Sequence, residues 1–297
     1  MWLQNTIDDA LKNFRGDSRI LVNLDGNWPL KPIPDHPKVV LVHHTNPIGQ
    51  RAGINLLARM STANYIAKAD AHCAFDEGFD VKLMEPYESG EISLETTTIP
   101  RMYNLHCHDW MCDACGNRTY QGPTPQHCVK CNHPKLHREL VWQPRWSRRT
   151  DFARFDSDLH FQYWRAYKNR PAAKGDIADV LSSVGAMWMM PRRRFKALGG
   201  LDEGHGSWGQ MGTEIACKSW LSGGRQVVNK RTWFSHMFRT QGKDFGFPYP
   251  LSGKEIAAAR AHSRKLWIEG KWKGTKYPLR WLLEKFWPVE GWEKLPD

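Results

Sequence analysis

Nowhere in the 297-residue chain do about 18 apolar residues run together. The opening residues, MWLQNTIDDALKNF, also lack the basic-then-apolar order of a secretory leader. The expectation from both absences is a cytosolic protein with neither a membrane span nor a signal peptide. No internal repeat and no low-complexity tract occurs. Acidic residues are in deficit, with 31 Asp and Glu against 42 Lys and Arg, a formal charge of +11. That excess suggests a polyanionic partner, nucleic acid or an anionic lipid face, with a merely soluble basic enzyme as the plainer reading. The basic residues fall in clusters (Arg148, Arg149, Arg192, Arg193, Arg194) rather than in one tail.

What is present suffices for a globular core, since 41% of residues are hydrophobic and the length allows one large domain or two modest ones. Fifteen Trp residues are unusual; flat indole faces suit sugars and bases, although most are expected to pack in the core or on the surface. Seven Cys in a reducing compartment are free thiols or metal ligands.

Four of the seven have metal spacing. Cys112-x-x-Cys115 and Cys128-x-x-Cys131, separated by twelve residues, form two knuckles whose thiolates can close tetrahedrally on one Zn²⁺. Four protein thiolates leave no position for water or substrate, so the ion is expected to be structural. A zinc deaminase would need H-x-E before P-C-x-x-C. Here Met111 precedes Cys112, His127 precedes Cys128, and the one H-x-E, at 137–139, follows both knuckles. Two matched CxxC units also speak against a redox pair. The neighbouring His106, Cys107 and His108 are read as surface residues or as supports behind the ligands.

Along the chain, residues 6–14 place Ile7, Ala10, Leu11 and Phe14 on one helical face and break at Gly16. Residues 19–24 and 38–42 are β-rich runs, expected as strands of a parallel sheet with ligand-binding loops at their C-terminal ends. A short helix at 53–60 precedes a buried strand at 64–68 that delivers Asp70-Ala71-His72 to a loop. Residues 101–142, with all four spaced Cys and many turn formers, read as an inserted module. Later elements are a strand at 184–190, helices at 192–198 and 213–222, a strand at 226–229, and a capping box at 252–255 that opens a helix to about Trp267.

A carboxylate and an imidazole two residues apart can meet one divalent ion, and the mixed oxygen and nitrogen set suits Mn²⁺ better than Mg²⁺. As a lone tripeptide, Asp70-Ala71-His72 is equally a turn Asp beside a satisfied His. Its context carries more. NYIAKADAHCAFDEGF, then FKALGGLDEGHGSWGQMGTEIACKSWLSGG, then FSHMFR resemble, in order and spacing, the GT-A glycosyltransferases of the family-two type. The likeness is greatest to the polypeptide N-acetylgalactosaminyltransferases, over roughly residues 3–100 and 140–240.

The resemblance implies an α/β GT-A fold with a mixed central sheet: a nucleotide-sugar (donor) half at 1–100, a zinc-ribbon insertion at 101–142, an acceptor half at 143–245, and a basic helical extension at 246–297. It implies that Asp70, His72 and His236 hold Mn²⁺ against the two phosphates of a nucleotide sugar, with Arg239 adding positive charge. It further implies that Asp25 contacts the nucleoside, that Arg51 lies near the same nucleotide, and that Trp208 and Gly209 line the sugar and acceptor pocket.

Two departures stand out. The chain starts at the helix that should follow the family's first strand. The carboxylate expected after Trp-Gly-Gly is replaced by Met211-Gly212, leaving Glu214 and Asp202 as the nearest candidates for a base or acceptor orienter; without one, a retaining route in which the leaving phosphate takes the proton becomes open. The leading expectation is a Mn²⁺-dependent glycosyltransferase using a UDP-sugar, whose acceptor is a modified DNA base in a viral or phage setting, a saccharide or a protein. The alternative is a non-catalytic, nucleic-acid-binding zinc-ribbon protein on a degenerate transferase scaffold.

Overall fold

A computed structural model describes residues 2–122, 124–206, 208–238 and 253–296. Arg239 and Ser252, the first residue of the expected capping box, lie outside them.

Helix α1 (Leu3–Asn13) buries Ile7 and Ala10, the face that the periodicity predicts. Strands β1 (Ile20–Asp25) and β2 (Val39–His44) pair in parallel, from Ile20↔Val39 to Asp25↔His44. Helix α2 (Gln50–Met60) starts one turn before the expected residue 53. Strands β3 (Tyr65–Ala69) and β4 (Cys73–Phe75) flank the Asp70-to-His72 turn, and α3 (Phe79–Glu88) follows. The β1–β2 pair forms its own small sheet, because among the described residues no ladder joins it to β3. Helix α1 spans the two sheets instead: Ile7 packs with Val22, Leu24 and Ile33, and Ala10 with Cys73, Phe75 and Phe79.

The long strands β5 (Thr96–Cys112) and β7 (Leu136–Thr150), with the short β6 (Arg118–Tyr120), make an antiparallel arm that carries the cysteine knuckles at its tip. Thr96, Thr97 and Thr98 at the start of β5 are fully buried. The cysteine module therefore grows out of the central sheet along a continuous strand. Strands β8 (Ala153–Phe155) and β9 (Phe161–Tyr163) form a hairpin, β10 (Ile177–Asp179) lies at one sheet edge, and β11 (Met187–Pro191) leads into α4 (Arg192–Ala197).

Helix α5 (Met211–Leu221) is buried at every residue, and β12 (Arg225–His236) extends well beyond the predicted 226–229. The main sheet runs β10-β12-β5-β11-β3, with β12 parallel to β5 and β11 antiparallel to both β5 and β3. Helix α6 (Gly253–Ser263) continues into a π-turn at Arg264–Ile268, and α7 (Leu279–Phe286) follows. The C-terminal part is no loose extension: Leu282, Leu283 and Phe286 sit in the largest core cluster with Trp164, Trp188, Trp220 and Trp267. No described helix is long and apolar enough to cross a membrane.

Candidate active site

Two strand pairings assemble the predicted metal ligands. At the end of β3 the Asp70 N–H donates to Ala186 O, just before β11 (3.0 Å). Strand β4 then runs antiparallel to the end of β12, with Cys73 opposite His236, and the Met237 N–H donates to His72 O (3.1 Å). His236 is thereby set beside His72, with ring centroids 4.6 Å apart, and its Nε2 lies 3.1 Å from Asp70 Oδ2. One ligand atom from each of Asp70, His72 and His236 lies within 4.8 Å of the others.

The donor set fits a divalent cation. A carboxylate oxygen with two imidazole nitrogens suits Mn²⁺ and its neighbours. His236 Nδ1 is buried with no hydrogen-bond partner among the described residues, so the ring has coordinating capacity to spare. Asp70 is a carboxylate at neutral pH: burial pushes its pKa up, but the Lys68 ammonium, the His236 contact and His72 outweigh this and hold it well below the usual range.

Lys68 was not singled out from sequence. Its ammonium pairs with Asp70 Oδ1 and donates to Gly185 O (2.8 Å) from an almost wholly buried position. A signal existed, because a lysine in a strand read as buried requires a counter-charge.

The other predicted residues divide between loop braces and a sealed ionic knot. Asp25, at the C-terminal end of β1, accepts from the N–H groups of Ile48 (2.8 Å) and Gly49 (3.0 Å), fixing the turn into α2. The next residue, Gln50, reaches Asp70 Oδ1 at 3.5 Å. Arg51 is 1% exposed and donates to Glu214 Oε2 (2.8 Å) and Gly209 O (2.6 Å). Trp208 and Gly209 are partly buried on the loop held by that contact. Glu214 is fully buried; its Oε1 takes Lys218 Nζ (3.0 Å) and the Asp202 N–H (2.5 Å). Burial raises the Glu214 pKa, but Lys218, Arg51 and His205 outweigh it, leaving it below the usual value. Asp202 is partly exposed and pairs with His262 Nε2 at 2.9 Å.

Steric crowding explains the glycine at 212, the second of the two replaced positions. A Cβ on Gly212 would stand 1.7 Å from Ser183 O, and one on Gly185 would meet Gly212 N at 2.7 Å. Helix α5 begins in direct backbone contact with the 183–185 turn, and only glycine allows that approach.

At the tip of the arm the Sγ atoms of Cys112 and Cys131 are 3.6 Å apart and those of Cys115 and Cys128 are 3.7 Å apart. Four Zn–S bonds in a tetrahedron require about 3.8 Å. The Cys131 and Lys130 N–H groups lower the Cys128 thiol, while the neighbouring sulfurs raise that of Cys131, so a bound cation is what lets all four ligate as thiolates.

No family model matches the chain. Over 133 residues, 42% of the chain, it is 28% identical to the putative polypeptide N-acetylgalactosaminyltransferase 13 of Drosophila melanogaster, of which this covers 23%. It superposes on the crystal structure of GalNAc-T7 with UDP, GalNAc and Mn²⁺ at a TM-score of 0.62 and 16% identity, over 90% of this chain and 46% of that one. The matches thus span less than half of the length of either protein. The superposition shows the fold: the chain has a mixed α/β fold of the GT-A type.

Proposed function

We propose that the protein transfers a sugar from a UDP-linked donor to an acceptor, with a divalent cation, Mn²⁺ by preference, held by Asp70, His72 and His236. The observation that carries this reading is the convergence of those three side chains where β3, β4 and β12 meet, on a fold shared with a structure solved with UDP, GalNAc and Mn²⁺. When bound, the cation neutralises charge that develops on the leaving diphosphate. Asp70 presents an ionised carboxylate, and Lys68 beside it adds fixed positive charge. Asp25 holds the turn into α2 at the C-terminal end of the small parallel sheet, where nucleotides bind in open α/β folds.

We assign Arg51 and Glu214 to positioning, because both are sealed away and bonded to one another. With Met211-Gly212 in place of the family's carboxylate and Glu214 sealed in its ion pairs, the leaving diphosphate is the proton acceptor in this reading, and transfer retains configuration. The cysteine tip binds one structural Zn²⁺, and the need for four reduced thiols favours a cytosolic setting. For the acceptor we favour a polyanion, including a modified DNA base of a virus or phage. The support is the exposed basic stretch of β7, where Arg145 lies over the Tyr120 ring (4.4 Å) and Arg148 and Arg149 face solvent. The non-catalytic scaffold reading draws on the Met211-Gly212 replacement.

One assay decides between the two: turnover with Mn²⁺ over a panel of UDP-sugars, with and without DNA. Hydrolysis or transfer abolished by Asp70→Ala and by His236→Ala is expected. No turnover with any donor, or turnover indifferent to both substitutions, overturns the enzyme reading.

A further inference from the structure

A second cluster of metal-ligating side chains lies away from the Asp70 turn. Asp202 caps the short 3₁₀ turn Glu203–His205, and Asp202 and His205 lie three apart, the spacing that aligns side chains on such a turn. His262 comes from the last turn of α6. One ligand atom from each of Asp202, His205 and His262 lies within 4.8 Å of the others, the same closeness as at the Asp70 site.

The surroundings are organised around these atoms. Asp202 Oδ1 accepts from the Gly204 N–H (2.9 Å), and Oδ2 faces His262 Nε2 at 2.9 Å. His205 is buried; its Nδ1 meets Asp202 O at 3.1 Å and its Nε2 meets Ser263 Oγ at 2.9 Å. A neutral ring that donates Nδ1–H to a backbone carbonyl carries its lone pair on Nε2, as in the histidines of protein metal sites; here the Ser263 hydroxyl donates to it, and an ion would take the place of that bond. The two imidazoles stand nearly perpendicular, 4.8 Å between centroids. His262 has room only because residue 204 is glycine: a Cβ there would lie 2.7 Å from the His262 ring. Asp202 and His262 side chains are each 30% exposed, so an ion has an entry path and a fourth position open to water.

We propose that Asp202, His205 and His262 bind a divalent transition-metal ion, best matched by Zn²⁺, which clasps α6 to the turn before the Trp208 loop. One carboxylate and two imidazoles form a zinc donor set, and Zn–O and Zn–N bonds of about 2.0–2.1 Å in a tetrahedron separate ligand atoms by roughly 3.3 Å. The Asp202–His262 contact needs only a small opening to reach that. Behind the clasp, the Asp202 N–H is bound to Glu214, so the ion also braces the Arg51–Glu214 knot that holds Gly209.

The test is independent of transfer activity. Full-length protein carrying Asp70→Ala, to silence the donor site, is treated with a mild chelator that leaves the cysteine zinc in place and is titrated with Zn²⁺ by calorimetry. One binding event and a rise in melting temperature are expected. His262→Gln, which keeps a hydrogen-bond donor toward Asp202, and Asp202→Asn should each weaken binding at least about tenfold, with circular dichroism and cysteine-zinc content unchanged. Equal Zn²⁺ isotherms in parent and both variants would mean a simple hydrogen-bonded pair and overturn the proposal. Anomalous diffraction at the zinc edge from zinc-soaked crystals of the unsubstituted protein tests the same site directly: a peak between the three side chains supports the clasp, and its absence sinks it.

Discussion

Arg51 and Glu214 join helices α2 and α5 through a 2.8 Å contact from which solvent is wholly excluded. The guanidinium also bonds Gly209 O, and the carboxylate also takes Lys218 and the Asp202 N–H. One ionic knot therefore fixes both helices and the loop that carries Trp208.

Breaking one side of this knot strands a buried charge. Arg51→Met is expected to cost about 3–5 kcal/mol in urea denaturation. Glu214→Gln should lower stability more than it changes kcat for the folded fraction, whereas a base would show the reverse. Because the folded-state pKa of Glu214 lies below its ordinary 4.5, its contribution is present above that value and fades as pH falls further. A cost under about 1 kcal/mol for Arg51→Met would refute the positioning role.

The Asp70 site makes a different demand. Asp70→Asn and His236→Ala should remove most Mn²⁺ binding, read by electron paramagnetic resonance of the free ion. Lys68→Met is expected to act oppositely. The lysine occupies Asp70 Oδ1 and repels a dication, so its removal should tighten Mn²⁺ binding while weakening retention of the diphosphate. Unchanged Mn²⁺ affinity in Lys68→Met would show that the ion pair does not compete with the metal.

Much of this arrangement was legible in the sequence, for local reasons. Asp70, His72 and the four cysteines sit at short fixed spacings, and apolar runs marked β1, β2, β3 and β11. What was hidden depends on contacts between distant segments. Arg51 reads as a neighbour of the nucleotide until α5 brings Glu214, 163 positions away, against it. His262 reads as one more polar residue of a helix until α6 docks beside Asp202. Strand β12 ran past its prediction because Lys230, Arg231 and Thr232 interrupt the apolar pattern at a bulge, while pairing with β5 resumes at Trp233.

The thiols at the tip of the arm should behave as one unit. Zinc analysis after treatment with the mild chelator that clears the Asp202 site should give about one tightly held ion, lost in Cys128→Ser. That variant should unfold the tip, read as faster amide exchange around 112–135, with exchange across β3 and β11 unaltered. Retention of that chelator-resistant zinc in Cys128→Ser would exclude a four-thiolate site.

The arm also carries an acid-sensitive residue. His108 is fully buried in β5 beside Trp2 and Trp110, and burial, aided by the charge of Arg138, lowers its pKa from 6.5 to about 4. The unfolded chain binds the proton more readily, so stability is whole above about pH 6.5 and declines as pH falls toward 4, by up to about 3 kcal/mol. His205 shifts in the same direction, so the difference between parent and His108→Phe isolates the arm. Parallel pH profiles for the two proteins would contradict this account.

Placing an acidic side chain at 212, the second of the two replaced positions, is an attractive way to seek activity, and the packing forbids it. A Gly212 side chain would enter the Ser183 carbonyl at 1.7 Å, and the facing Gly185 has φ near +80°, so neither backbone can retreat without leaving a conformation that suits glycine. Even Gly212→Ala should cost more than the roughly 1–3 kcal/mol typical of overpacking, and Gly212→Glu, which adds an unpaired charge, should fail to give soluble protein. A folded Gly212→Glu variant with enhanced transfer would mean that α5 can move away from the 183–185 turn. A destabilised, inactive Gly212→Ala would mean that the close approach itself shapes the site.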